Sequence, residues 1–314
     1  MLRKVKVALT SRYLFDNWIS LLVKYALIRL GFNVRFRAKI DNCFLELKPE
    51  VFAHLVSRFS RFFIRSLKCI DGKLFINGVE VDDISNVLYN VETFAKVLGW
   101  NYDNSSNCWV KNCVKFKRIH WPILLIFDYG EYDELNVRDR VVVDVGAFVG
   151  DSAIYFALRG AKRVIAIEPH PDAYVELLEN VKLNNLEEAI FPINAGVAGS
   201  PSKLYIGGVD VEDTAHTYYK PACNGSIPVI TLGDVIRRYV AGDAILKMDC
   251  EGCEYDVILN DYEHVRVFKE LIFEYHAYAV GKSVSELLRV LAKDYNCKII
   301  EGNKSTGIVH CIRK

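Results

Sequence analysis

Two short runs constrain this chain more than any others: Val141-Val142-Val143-Asp144-Val145-Gly146-Ala147-Phe148-Val149-Gly150, and Val164-Ile165-Ala166-Ile167-Glu168-Pro169. A buried strand entering a glycine turn, then a helix, then a second buried strand ending in an acid is the layout of a nucleotide-binding βαβ unit. Glycine lets backbone approach a ligand with no Cβ in the way, and an acid closing the second strand can accept hydrogen bonds from both hydroxyls of a ribose. Gly146, Gly150 and Glu168 are therefore the first candidate ligand-binding residues.

The spacing then selects the ligand. A dinucleotide fingerprint reads G-x-G-x-x-G and seats a pyrophosphate on a helix N-terminus. Here the run is D-x-G-x-x-x-G, and Asp151 follows the second glycine, where it would repel a pyrophosphate. A ligand with a cationic end is favoured. S-adenosyl-L-methionine meets both demands, with Glu168 holding its ribose and Asp144 near its ammonium and sulfonium.

The 314 residues suffice for one large domain and a smaller one. Charge divides the same way: residues 1–130 hold 20 Lys+Arg against 11 Asp+Glu, and residues 131–314 hold 20 against 28. The basic excess is densest over residues 1–68, 14 against 4. It reads as a solvated face or as a surface for something anionic, with Arg58, Arg61 and Arg65 aligned on one helix face as its centre. Half the residues are hydrophobic, yet no uncharged stretch approaches the roughly 18 residues of a membrane span, and residues 1–12 lack the apolar core of a signal peptide. A cytoplasmic location is expected. Nine scattered cysteines suggest reduced thiols, with Cys250 and Cys253 acting as small apolar fillers rather than zinc ligands.

The first module reads as α+β. Helical spacing spans 49–67, residues 73–81 form a hairpin turning at Asn77-Gly78, and Ser85 can cap a helix that Gly99 ends. From residue 140 strands and helices alternate, with strands at 141–145, 163–168, 189–193, 244–249 and 270–275 and a closing hairpin of 297–300 with 308–312. Ser283 and Glu286 form a capping box for the last helix.

On these motifs the chain resembles a family. The run Asp144 to Ser152, the pair Glu168-Pro169, Asn180-x-x-x-Asn184, the block Leu246-Lys247-Met248-Asp249-Cys250-Glu251-Gly252-Cys253-Glu254 and Phe273-Glu274-Tyr275-His276 are similar to those of the FkbM S-adenosylmethionine-dependent methyltransferases. The resemblance covers residues 131–314 and implies an α/β fold: a doubly wound, seven-stranded class I methyltransferase sheet with a C-terminal antiparallel hairpin, here preceded by the smaller α+β module. It implies O-methylation of a hydroxyl, often on a sugar or natural product; the first module lies outside the shared motifs and is expected to select the substrate.

Ligands of such sheets sit beyond the carboxyl ends of the strands, which places Asp144, Glu168, Asn194, Asp249 and Glu274 on one rim. An alkyl hydroxyl hardly ionises at neutral pH, so a base or metal should help remove its proton. Asp249 is the first candidate base, followed by Glu251, Glu274 and His276, while Lys247 could pair with an acid nearby. Glu251 reads equally as a helix N-terminal charge and Glu254 as a solvated one; His170 and His216 read as surface residues. These donors could bind Mg²⁺, but no spacing demands it, so no metal site is assigned. The expected acceptor is a small molecule or glycan, a phosphate- or lipid-linked sugar suiting the basic module, and nucleic acid is disfavoured. An NAD(P)-dependent Rossmann oxidoreductase, or a nucleic-acid- or glycan-binding protein on a degenerate methyltransferase fold, are the competing readings. The missing third glycine and terminal hairpin oppose the first, and intact Asp144, Gly146, Gly150 and Glu168 oppose the second.

Overall fold

The structure is a computed structural model that describes residues 9–62, 64–205, 220–221 and 226–314, so that His216 lies outside the described residues. The chain divides into two compact units, Met1–Gly130 and Glu131–Lys314.

In the first unit, helix Pro49–Arg61 starts with Pro49 in its first turn, where no N–H is needed, and buries Val51, Phe52, Leu55, Val56 and Phe59. It stops at Arg61, short of residue 67, because Leu67–Ile70 pairs antiparallel with Lys73–Ile76. That strand turns through Asn77 and Gly78 into Val79–Val81. The helix expected after Ser85 is two, Ile84–Tyr89 and Val91–Val97. Asp83 caps the first by accepting from the Ser85 N–H, and Asn90 breaks the run and caps the second by accepting from Thr93. The basic face also needs correcting. The Arg58 guanidinium lies 3.9 Å from the centre of the Trp121 ring and 4.9 Å from that of Phe94, and Arg61 lies over Tyr129 at 4.7 Å. Burial draws the Arg58 pKa down to about 10, so these side chains are packed cations and Arg65 alone of the three is exposed.

The second unit is built on seven strands, β1 to β7 in chain order: Val141–Val145, Arg163–Ile167, Ile190–Ile193, Ala244–Met248, Glu270–His276, Tyr295–Gly302 and Thr306–Arg313. Their order across the sheet is β3-β2-β1-β4-β5-β7-β6. The first five run parallel, and β7 is antiparallel to both β5 and β6. Helices cover both faces of a parallel sheet, which is why β1 and β4 bury all five residues each and read as unbroken apolar runs. The last helix, Val284–Leu291, carries the Ser283 and Glu286 capping box. A small sheet ordered Gly196–Val197, Ile227–Ile230, Ser202–Tyr205 and Lys220–Pro221 was not legible, since its strands span four residues at most.

The sheet reverses its winding between β1 and β4, the place where open α/β sheets bind ligands. There the Asp249 N–H donates to the Val145 carbonyl at 2.9 Å. A Cβ on Gly146 would lie 1.7 Å from the Asp249 carbonyl oxygen, so only glycine allows the two loops to meet.

The cysteines also depart from expectation. Cys43–Cys69, Cys250–Cys253 and Cys297–Cys311 are joined as disulfides, while Cys108 is free and buried and Cys113 free and exposed. The filler reading of Cys250 and Cys253 fails because the turn between β4 and the next helix brings their Cα atoms to 5.4 Å, within the reach of a disulfide.

Candidate active site

The glycine loop after β1 rests on a buried ion pair. Lys247 in β4 stands in register beside Asp144 in β1, and its Nζ lies 2.9 Å from Asp144 Oδ1 and donates to the Gly146 carbonyl at 2.7 Å. Ser152 Oγ donates to Asp144 Oδ2 at 2.6 Å. Burial disfavours the ammonium, but Asp144, Asp249 and Asp151 outweigh it and raise the Lys247 pKa above its usual range. The Asp144 carboxylate is fully buried, paired with Lys247 through Oδ1 and accepting from Ser152 at Oδ2. It shapes the loop from beneath.

Glu168 closes the loop from the β2 side. Its Oε2 accepts from the Phe148 N–H at 2.8 Å and its Oε1 from the His170 N–H at 2.7 Å. Burial pushes the carboxyl up to about 7 against the pull of those two donors. Asn194 ties β3 to that loop, its amide nitrogen donating to the Glu168 and Pro169 carbonyls at 2.8 and 3.2 Å. Gly150, with φ +86, opens the helix Asp151–Leu158. His170 is buried rather than on the surface, and its Nδ1 accepts from the Ala173 N–H at the start of helix Pro171–Leu183.

The second half of the site hangs on the turn after β4. Glu251 and Gly252 both have positive φ, +54 and +113, and a Cβ on Gly252 would press on Val280 at 3.1 Å. This tight turn aims Asp249 and Glu251 at the end of β5, where Glu274 and His276 stand. His276 Nε2 lies 3.8 Å from Asp249 Oδ1 and 3.7 Å from Glu251 Oε1. Glu251 accepts from the Tyr278 hydroxyl at 2.8 Å, and Glu274 from the Thr306 hydroxyl at 2.7 Å. The four residues named from sequence thus converge.

Glu254 organises the group, and its reading as a solvated helix charge was wrong. It is fully buried; Oε1 accepts from the His276 N–H at 2.8 Å and pairs with Nδ1 at 2.9 Å, and Oε2 accepts from the Gly252 N–H at 3.0 Å. One carboxylate therefore fixes the turn and orients the imidazole, leaving Nε2 facing Asp249 and Glu251. Burial would lower the His276 pKa, yet Glu254, Asp249 and Glu251 outweigh it and hold it up to about 10, so the ring is an imidazolium at neutral pH. Burial, with Asp249 and Glu254 adding to it, pushes Glu251 up to about 7. The terminal acid of the K-x-D-x-E-G-x-E block was the available signal for Glu254; nothing local marked it as buried.

A parallel sheet reversed by β7, with a glycine loop after β1 and an acid after β2, defines a class I methyltransferase fold. Residues 144–298 match the Methyltransferase FkbM domain. The second unit belongs to the FkbM family, and the protein is an S-adenosylmethionine-dependent methyltransferase. It is 27% identical over 176 residues to the hexuronic acid methyltransferase AglP of Haloferax volcanii, covering 51% of this chain and 68% of that one. It is 32% identical over 121 residues to the tRNA (guanine(37)-N(1))-methyltransferase Trm5b of Methanocaldococcus jannaschii, covering 38% of this chain and 34% of that one. The solved FkbM methyltransferase of Methylobacillus flagellatus KT is 20% identical, with a TM-score of 0.41 over 60% of this chain and 47% of that one.

The residues present fit the cofactor. Glu168 Oε1 and Oε2 each accept one backbone N–H, and each oxygen retains a second lone pair for a ribose hydroxyl. Glu168→Ala is expected to weaken S-adenosylmethionine binding about tenfold or more, the loss of charge-assisted hydrogen bonds of roughly 1.5–3 kcal/mol. Calorimetric titration checks this, and unchanged affinity would remove Glu168 from the ribose.

Proposed function

We propose that the protein methylates a hydroxyl of a saccharide or glycoconjugate, with Asp249 receiving the acceptor's proton. The observation that carries the reading is the convergence of Asp249, Glu251, Glu274 and His276 beside the glycine loop. S-adenosylmethionine supplies an electrophilic methyl group. The chain's task is to hold the acceptor oxygen in line and to take its proton as the bond forms. Asp249, with its side chain 32% exposed against 13% for Glu251 and 4% for His276, can meet a hydroxyl. The His276 imidazolium, clamped by Glu254, offsets the negative charge gathered there and keeps Asp249 and Glu251 in place. The sugar acceptor draws support from the relative whose name specifies hexuronic acid.

Incubation with methyl-labelled S-adenosylmethionine and, separately, hexuronate-containing glycans, tRNA and protein tests this. Label on a glycan oxygen is the expected result, and label confined to tRNA or protein would overturn it. Turnover is also expected to rise with pH through about 7 as Glu251 ionises and strengthens the field drawing the proton onto Asp249. A pH–rate profile should show that rise, and Glu251→Gln should abolish it.

A metal-assisted form of the same transfer has one observation behind it: Asp249, Glu274 and His276 each bring one ligand atom within 4.8 Å of the others. Turnover lost on chelation and restored by Mg²⁺ or Mn²⁺ would favour it, and indifference to chelator would dismiss it.

A further inference from the structure

Helix Trp18–Arg29, of sequence WISLLVKYALIR, is apolar almost all round, a composition that belongs inside a protein, yet Leu21 is its one fully buried residue. Ile19, Val23 and Leu30, the last at the helix end, are 61%, 54% and 74% exposed, and Ala26 between them is exposed too. Positions 19, 23, 26 and 30 follow the spacing of a single helical face, so they form one outward stripe. Leu9 and Tyr13 before the helix and Phe32 after it add further exposed apolar surface at 61%, 66% and 59%. Such a surface calls for a cover.

Charge decides which cover. At 100° per residue, exposed Arg29 lies about 90° to one side of the stripe and half-buried Lys24 about 130° to the other, while Arg12 and Arg35 are exposed nearby in sequence, Arg35 paired with Glu46. Residues 1–68 carry 14 Lys+Arg against 4 Asp+Glu, an excess that remains after setting aside Arg58 and Arg61, packed on aromatic rings, and Lys39, paired with Asp16. A second copy would set these like charges against each other, and a nucleic acid would satisfy the cations while leaving the stripe in water. An anionic bilayer satisfies both, receiving the apolar face below its headgroups and the cations among them. We infer that helix Trp18–Arg29 docks the protein flat on an anionic membrane surface. The helix is too short to cross, and among the described residues no helix is long and apolar enough to do so.

Sedimentation of the full chain with vesicles of phosphatidylcholine, with and without phosphatidylglycerol, tests the inference. The protein should pellet with the anionic vesicles and stay in solution with the neutral ones. The double substitution Val23→Glu and Leu30→Glu, at solvent-exposed positions, should lower the vesicle-bound fraction about tenfold or more. Its S-adenosylmethionine affinity and melting temperature should match the wild type, which separates docking from folding and from the active site. Absence of vesicle binding would overturn the inference, as would binding that the double substitution leaves intact, since charge alone would then explain it. A dimer in analytical ultracentrifugation that the same substitutions dissociate would overturn it in favour of a second copy as the cover.

Discussion

Asp249→Asn is expected to slow methyl transfer by about 10²-fold or more while leaving S-adenosylmethionine affinity within a few-fold. The amide keeps the shape and the backbone bond to Val145 but takes up no proton. Single-turnover rates with an identified acceptor, set beside calorimetric affinities, separate the two quantities. Unchanged turnover would pass the role to Glu251, Glu274 or His276, and lost cofactor affinity would make Asp249 a support of the glycine loop it touches. Glu254 provides a companion test. Glu254→Gln retains the turn but weakens the hold on His276, so the imidazolium should deprotonate at lower pH, a change readable from the ring's NMR titration.

Lys247→Ala is expected to destabilise the second unit by about 3–5 kcal/mol, the usual cost of leaving one member of a buried ion pair alone. Asp144 and Asp151 are buried close to the ammonium, and its loss removes the cation that offsets both. Urea unfolding at neutral pH measures the effect. The double substitution Lys247→Met and Asp144→Asn should recover part of the loss, because the stranded charge goes with its partner. A single variant as stable as the wild type would show that Asp144 takes up a proton at little cost.

The backbone of the second unit was legible because its strands are buried on both faces. Runs such as Val141 to Val145 and Ala244 to Met248 have no polar face to obscure them, and glycines mark the turns that follow. The first unit was harder to read. Its meander of Asn101–Asp103, Cys108–Lys111 and Val114–Phe116 has strands of three or four residues, too few to show an alternation. Asn90 interrupts an apolar pattern that runs on through it, so two helices read as one.

The candidate site divides on the same lines. The sequence alone determined that Glu168 and Asp249 directly follow their strands, since the period of the pattern marks where β2 and β4 end. It determined the methyltransferase family as well, because the blocks after β1 and β4 are local. What each carboxylate faces was decided by the tertiary structure alone. Asp144 and Asp249 each follow an apolar run, yet Asp144 is buried against Lys247 and Asp249 is open toward His276. Glu254 follows a glycine turn like any first-turn helix acid, yet it is buried and holds an imidazole 22 residues further along the chain. The difference is one of desolvation and partner, and both are set by strands that only folding brings side by side.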